Sequence, residues 1–199
     1  MADYYERRAP EYDDWYLGRG RFAERDRPRF VEEFQHVARM LAALPPARTL
    51  DVGCGTGFVT AHLPGAITAF DRSLGMLAVT RRRVRGAFAC GDLLALPFRD
   101  RAFERVFVGH VYGHLTADRA ARFVFEARRV GSEVLVLDSA LRPDVQREEV
   151  QERVLNDGSA HPVYKRYFDP EGLAEELAPA TPLVRGRWFV LVRSDPNAA

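Results

Sequence analysis

The stretch Leu50-Asp51-Val52-Gly53-Cys54-Gly55-Thr56-Gly57-Phe58 sets three alternating glycines behind a short apolar run that carries a carboxylate. Glycine lets a chain turn sharply and approach a ligand with no β-carbon in the way. At the end of a strand, such a turn opens a βα unit whose ligand seat lies at the carboxyl edge of a sheet. The rest of the chain keeps that rhythm. Apolar runs at Thr49–Val52, Ile67–Phe70, Ala87–Cys90, Arg105–Gly109 and Val134–Asp138 alternate with helical patterns. The expectation is an α/β domain with a mostly parallel, doubly wound sheet and helices on both faces.

Ser73 stands where an N-cap would start a helix running through Met76 and Leu77 to about Val84. Thr116 precedes a second helical pattern, with Ala120, Phe123, Val124 and Ala127, that reaches about Val130. Ahead of the first strand, Phe30, Phe34, Val37, Met40, Leu41 and Leu44 recur at helical spacing. They predict a helix from Arg29 to Leu44, ended by Pro45-Pro46. Residues 139–169, rich in arginine and acids, are expected to contain a helix. Pro170 to Leu177 reads as another, with proline in its first turn, and Leu183–Val192 as a closing hairpin.

With 199 residues the chain is expected to form one domain. Its formal net charge is +1, so any affinity for nucleic acid or a membrane surface has to come from a local patch. Cys54 and Cys90 cannot build a disulfide framework. The N-terminus is charged rather than apolar, and no run approaches the roughly 18 apolar residues of a membrane span. The resulting expectation is a cytoplasmic protein with no membrane span.

The second strand ends in Phe70-Asp71, close to the spacing of about 20 residues at which an acid meets a ribose. An ionised carboxylate offers only acceptors, which suits two ribose hydroxyls. Up to this point a nicotinamide dinucleotide fits as well as any nucleotide. A dinucleotide fingerprint, however, asks for glycine where Phe58 stands, and no Gly-Lys-Ser/Thr follows to make a phosphate loop.

The series Asp51-Val52-Gly53-Cys54-Gly55-Thr56-Gly57, Phe70-Asp71, Gly91-Asp92-Leu93, Leu96–Leu115 and Glu126–Val130 resembles, in order, the motifs of class I S-adenosylmethionine-dependent methyltransferases. The resemblance covers about residues 48–140 and is nearest to small-molecule enzymes of the quinone-biosynthesis type. It implies a Rossmann-like sheet of about seven strands. The chain then divides into an N-terminal lid and helix (1–45), a cofactor-binding core (47–140), a substrate-side insertion (139–169) and a C-terminal helix and hairpin (170–194). The resemblance implies S-adenosylmethionine as cofactor, S-adenosylhomocysteine as product, and no metal.

Carried over position by position, it sets Gly53, Cys54, Gly55, Thr56 and Gly57 against the methionine and ribose portion. Asp51 falls near the amino group, and Asp71 on the ribose with Arg72 beside it. Met76 covers an adenine face or belongs to the core. Asp92 meets the adenine amine, Leu93 borders the ring, and Gly109 and His110 lie beside the sulfonium. Tyr5, Tyr12 and Tyr16 are read as lid residues over the cofactor, or as packing for the helix behind them. Tyr164, Tyr167 and Phe168 either border the acceptor or are core. Cys54 reads as a small filler rather than a reactive thiol.

Methyl transfer from a sulfonium needs a base only when the acceptor must lose a proton. His114, Tyr112 and His110 follow the fourth strand, and His114 is the leading candidate, with Asp138 across the cleft to orient it. No Asn/Asp-Pro-Pro-aromatic turn follows that strand, which argues against a nucleobase, and a small organic acceptor is expected. The alternatives are a non-catalytic module that binds the same cofactor and a nicotinamide-dependent oxidoreductase.

Overall fold

The computed structural model describes residues 2–195. Five strands, β1 (Ala47–Val52), β2 (Gly65–Asp71), β3 (Gly86–Cys90), β4 (Phe103–Gly109) and β5 (Gly131–Ser139), pair in parallel. A two-stranded antiparallel ribbon follows, β6 (Glu148–Val154) with β7 (Ala160–Arg166). β8 (Ala180–Arg185) and β9 (Phe189–Ser194) then complete a seven-stranded sheet in the order β3-β2-β1-β4-β5-β9-β8. Within it β9 runs antiparallel to both neighbours. The order reverses between β1 and β4, so the glycine turn after β1 opens at the switch point where such sheets hold ligands.

Six helices accompany the strands among the described residues: α1 (Ala2–Arg8), α2 (Asp14–Leu17), α3 (Phe30–Ala42), α4 (Leu74–Thr80), α5 (Ala117–Val130) and α6 (Pro170–Glu176). Ser73 caps α4 through Met76 N, and Asp169 caps α6 through Gly172 N. Successive strand residues point to opposite faces, and two cores result. Val106, Val108, Val134, Val136, Val190 and Val192 pack with Phe123 and Ala127 of α5 and Leu173 of α6. Phe107, Leu135, Leu137, Phe189 and Leu191 pack on the other face with Val37 and Leu41 of α3. Strands buried on both faces read as continuous apolar runs, which is why β4, β5 and β9 stand out in the sequence.

The insertion is where expectation and structure part. Residues 139–169 hold the β6–β7 hairpin and no helix. Burial alternates along β6, a period of two that its many charged residues disguise. Between the strands, Asn156-Asp157-Gly158 turns the chain. Gly158 adopts φ 86°, Leu155 N donates to Ser159 O, and Asp157 accepts from Ser159 N and Oγ. An Asp-Gly pair suits such a turn because glycine reaches positive φ without strain.

The N-terminal segment bridges this hairpin to the sheet. Tyr4 packs with Leu155 and Val163, Asn156 N donates to Glu11, and Arg7 pairs with Asp157. On the other side both Glu6 carboxylate oxygens accept from the first turn of α4, Leu74 N at 2.7 Å and Gly75 N at 2.8 Å. The segment thus closes over the carboxyl edge of the sheet.

Candidate active site

The glycine turn folds back on β2: Gly53 N and Cys54 N both donate to Phe70 O, at 2.7 and 3.1 Å. Gly53, Gly55 and Gly57 all take positive φ, at 72°, 55° and 74°, which accounts for the alternating glycines. Asp71 locks the turn from the neighbouring strand end. Its Oδ2 accepts from Gly55 N and its Oδ1 from Ser73 N, each at 2.9 Å. Burial raises its carboxyl above the ordinary range, against those backbone bonds, which lower it. Asp51 is buried and accepts from Thr60 Oγ1. Burial pushes it up to about 7, opposed by the Thr60 bond and helped by the charge of Asp71. Two buried carboxylates at adjoining strand ends lack any cationic side chain in hydrogen-bond contact among the described residues, and a ligand with matching donors would complete both.

Three connected spaces open here. A main cavity of about 210 Å³ holds Asp71 and Asp92 in its wall, with Phe70, Met76, Leu93 and Leu115 as an apolar strip. A side chamber of about 10 Å³ lies against Asp51, Gly53, Cys54, Thr56 and Gly109. A second cavity of about 710 Å³ lies between the N-terminal segment and the hairpin. It shares Tyr5, Tyr12, His110 and His114 with the main cavity, so the two meet at those side chains.

Most of the residues singled out by sequence converge on these spaces. Tyr5, Tyr12, Gly53, Gly55, Asp71, Arg72, Met76, Asp92, Leu93, His110 and His114 wall the main cavity. Asp51, Cys54, Thr56 and Gly109 wall the side chamber. Tyr16 reaches the side chamber and the second cavity, not the main one; its ring stacks on Phe58 at 4.5 Å. Phe58, the residue that replaces a fingerprint glycine, thus pins the N-terminal segment to the turn. Thr56 is a latch as well: its hydroxyl donates to Asp13, which pairs with Arg83 at 2.6 Å. Two positions lie away from these spaces. Gly57 walls none of the three spaces and serves the turn; a β-carbon there would meet Thr80 and Val84. Tyr112 is buried in the core, its hydroxyl donated to Glu176 and its ring against Phe123 and Phe168.

The histidines after β4 are differently placed. His114 Nδ1 lies 2.7 Å from Tyr164 O. A carbonyl oxygen only accepts, so Nδ1 carries the proton and Nε2 keeps its lone pair. Burial, with the charges of Lys165 and Arg153, pushes this histidine well below its ordinary pKa, leaving it neutral. His110 sits at φ 57°, a left-handed conformation uncommon outside glycine, with its ring against Trp15, Tyr16 and Phe189. Burial lowers it to about 4, and its Nε2 is buried with no partner among the described residues.

Asp138 does not orient His114 by a direct bond, because Tyr164 O takes that place. Its Oδ1 pairs with Lys165 Nζ and accepts from Ser139 N, while Oδ2 accepts from Gly113 N at 2.8 Å. Burial works to raise this carboxyl, but the Lys165 ammonium and its hydrogen bond outweigh burial and hold it at about 2. Asp138 is therefore an ionised anchor for the loop that carries both histidines. Lys165 and the second cavity's Arg153 were missed, whereas Tyr164, expected to border the acceptor or to be core, lines the main cavity. One signal was available: Lys165 is the only lysine in a chain whose other basic residues are arginines.

Residues 50–133 match the family model described as Methyltransferase domain. The chain is similar to the demethylmenaquinone methyltransferase of Roseiflexus castenholzii, 33% identical over 114 residues, covering 52% of this chain and 48% of that protein. It is 41% identical over 71 residues to the malonyl-[acyl-carrier protein] O-methyltransferase of Halorhodospira halophila, covering 31% of this chain and 24% of that one. The chain spans about half the length of the first of these relatives and less of the second. A solved complex of DhpI with SAH superposes on 100% of this chain and 96% of its own, with TM-score 0.76 at 24% identity. That likeness runs the length of the chain and establishes the fold.

Proposed function

We propose that the chain is a class I S-adenosylmethionine-dependent methyltransferase and that it methylates a small organic acceptor. The observation that carries the reading is the meeting of two cavities at Tyr5, Tyr12, His110 and His114. One is walled as a nucleoside seat, and the other is large enough for a second molecule. An open acceptor-sized cavity favours an enzyme over a module that only binds the cofactor. The name of the Roseiflexus relative, a demethylmenaquinone methyltransferase, supports a small-molecule acceptor.

The donor set fits the cofactor. Asp51 would accept from its ammonium, Asp71 from the ribose diol, and Asp92 from the adenine amine; Met76 and Leu93 would border the purine. When bound, the cofactor supplies an electrophilic methyl group on a sulfonium. The chain's own part is to hold an acceptor against that position and keep water out, which accounts for much of the acceleration in such reactions. Tyr5, Tyr12 and Tyr16 form the roof; burial keeps all three hydroxyls protonated, Tyr5 being pushed up to about 12. His114 is neutral, has no Nε2 partner among the described residues, and presents a ring shared by both cavities. It is the group placed to take a proton from an acceptor that must lose one, though burial weakens it as a base. Asp138 and Lys165 act through the loop, as positioning residues.

Thermal denaturation with S-adenosylmethionine, S-adenosylhomocysteine and NAD in parallel tests the reading. A ligand at about 100 times its dissociation constant adds roughly 2.7 kcal/mol. Both adenosyl compounds are expected to raise the midpoint and NAD to leave it in place. A shift with NAD alone contradicts the proposal.

A further inference from the structure

The second cavity carries charge that the reading above leaves unused. In a chain of formal net charge +1, seven basic and three acidic side chains wall it. Arg8 is 7% exposed, and no carboxylate pairs with it among the described residues. Its guanidinium meets the Tyr4 hydroxyl and lies over the rings of Tyr4 and Tyr12, at 5.5 and 5.1 Å. Arg153, part-buried on β6, donates among the described residues only to Gln151 Oε1, at 3.1 and 3.3 Å. Arg142 lies 4.4 Å above the Trp188 ring, its side chain 12% exposed, while its partner Asp144 stands 64% exposed in solvent.

The charge of Arg153 is felt along the wall common to both cavities. It works against burial, which raises Tyr5 and Tyr12, and adds to burial in lowering His110 and His114, all four of which stand on that wall. Cations withdrawn from water without a counter-charge are costly, and an incoming anion offsets that cost. Arginine's planar fork matches carboxylate and phosphorus oxyanions in particular. The remaining wall is largely aromatic, with Trp15, Tyr16, Phe30 and Trp188.

We propose that the second cavity holds the methyl acceptor by a small anionic group, a carboxylate or a phosphorus oxyanion, on Arg153 and Arg8. The apolar body of the acceptor lies against Trp15 and Trp188. The inference rests on the main cavity being the cofactor seat, and it separates this acceptor from an uncharged quinone ring.

Calorimetric titration of the full chain at saturating S-adenosylhomocysteine tests it, with phenylphosphonate, benzoate and uncharged benzamide as probes. At least one anion is expected to bind saturably, ten times or more tighter than benzamide, and the stronger of the two assigns the oxyanion class. Arg153→Gln is expected to weaken that anion tenfold or more while S-adenosylhomocysteine affinity stays within twofold. Arg8→Gln is the second variant, with the same expectation. Equal binding of benzamide, or anion affinity indifferent to both substitutions, overturns the proposal. So does anion binding that S-adenosylhomocysteine abolishes, because the cations would then serve the cofactor's carboxylate. Failure of S-adenosylhomocysteine itself to bind removes the cofactor reading instead, and the two failures are distinguishable.

Discussion

At the scale of single residues, Asp51 makes the sharpest prediction. Its carboxyl, raised by burial to about 7 in the ligand-free protein, has to ionise to receive an ammonium. Binding of S-adenosylhomocysteine should therefore release a proton below pH 7 and tighten as pH rises towards about 7, by up to tenfold per unit, then level off above it. Asp51→Asn should flatten that dependence, which calorimetry in buffers of different ionisation enthalpy can read. The same raised value works against the ligand-free fold. Stability from this group is present below the unfolded value of about 3.9 and lost as pH rises through about 7. His114 makes a different prediction. His114→Gln should cut single-turnover methyl transfer by roughly a hundredfold or more while leaving S-adenosylhomocysteine affinity near wild type. Equal rates would remove it as the base. Asp51 and Asp71 were legible from sequence because local motif spacing fixes them at strand ends. The partners of His114 and Asp138 were not, because Tyr164 O and Lys165 Nζ arrive from a distant hairpin.

At the scale of elements, the strands of the sheet and helices α3 to α6 follow local signals: apolar runs, the Ser73 and Asp169 caps, and Pro170 in the first turn of α6. The closing hairpin was also readable, although its turn, Gly186 to Trp188, leaves only three residues between β8 and β9. The β6–β7 hairpin was hidden because glutamate, glutamine and arginine favour helices when nothing else decides. What decides here is Asn156-Asp157-Gly158 and the packing of Tyr4 on Leu155 and Val163. That packing belongs to the N-terminal segment, whose other attachment is the Glu6 carboxylate on the first turn of α4. Glu6→Ala should free one side of this roof. Amide hydrogen exchange in residues 2–17 is expected to rise while the sheet amides stay protected, and S-adenosylhomocysteine should dissociate faster. Unchanged exchange there would mean that the hairpin contacts alone hold the segment.

At the scale of the whole molecule, a net charge of +1 conceals an uneven distribution. Carboxylates gather where the cofactor's donors would lie, and guanidinium groups gather around the cavity beyond. Composition averages this away, and only the folding of α1, β6 and β7 over one edge of the sheet assembles it. On the proposed reading, the main cavity seats an adenosyl cofactor through Asp71 and the glycine turn. The most direct measurement is a calorimetric titration of S-adenosylhomocysteine into the wild-type chain and into Asp71→Asn. A charge-assisted hydrogen bond is worth about 1.5–3 kcal/mol, so losing those to a ribose diol should weaken binding roughly a hundredfold or more. One saturable site is expected in the wild type, and that loss in a variant that still unfolds cooperatively. No binding by the wild type, or equal affinity in the two proteins, would contradict it.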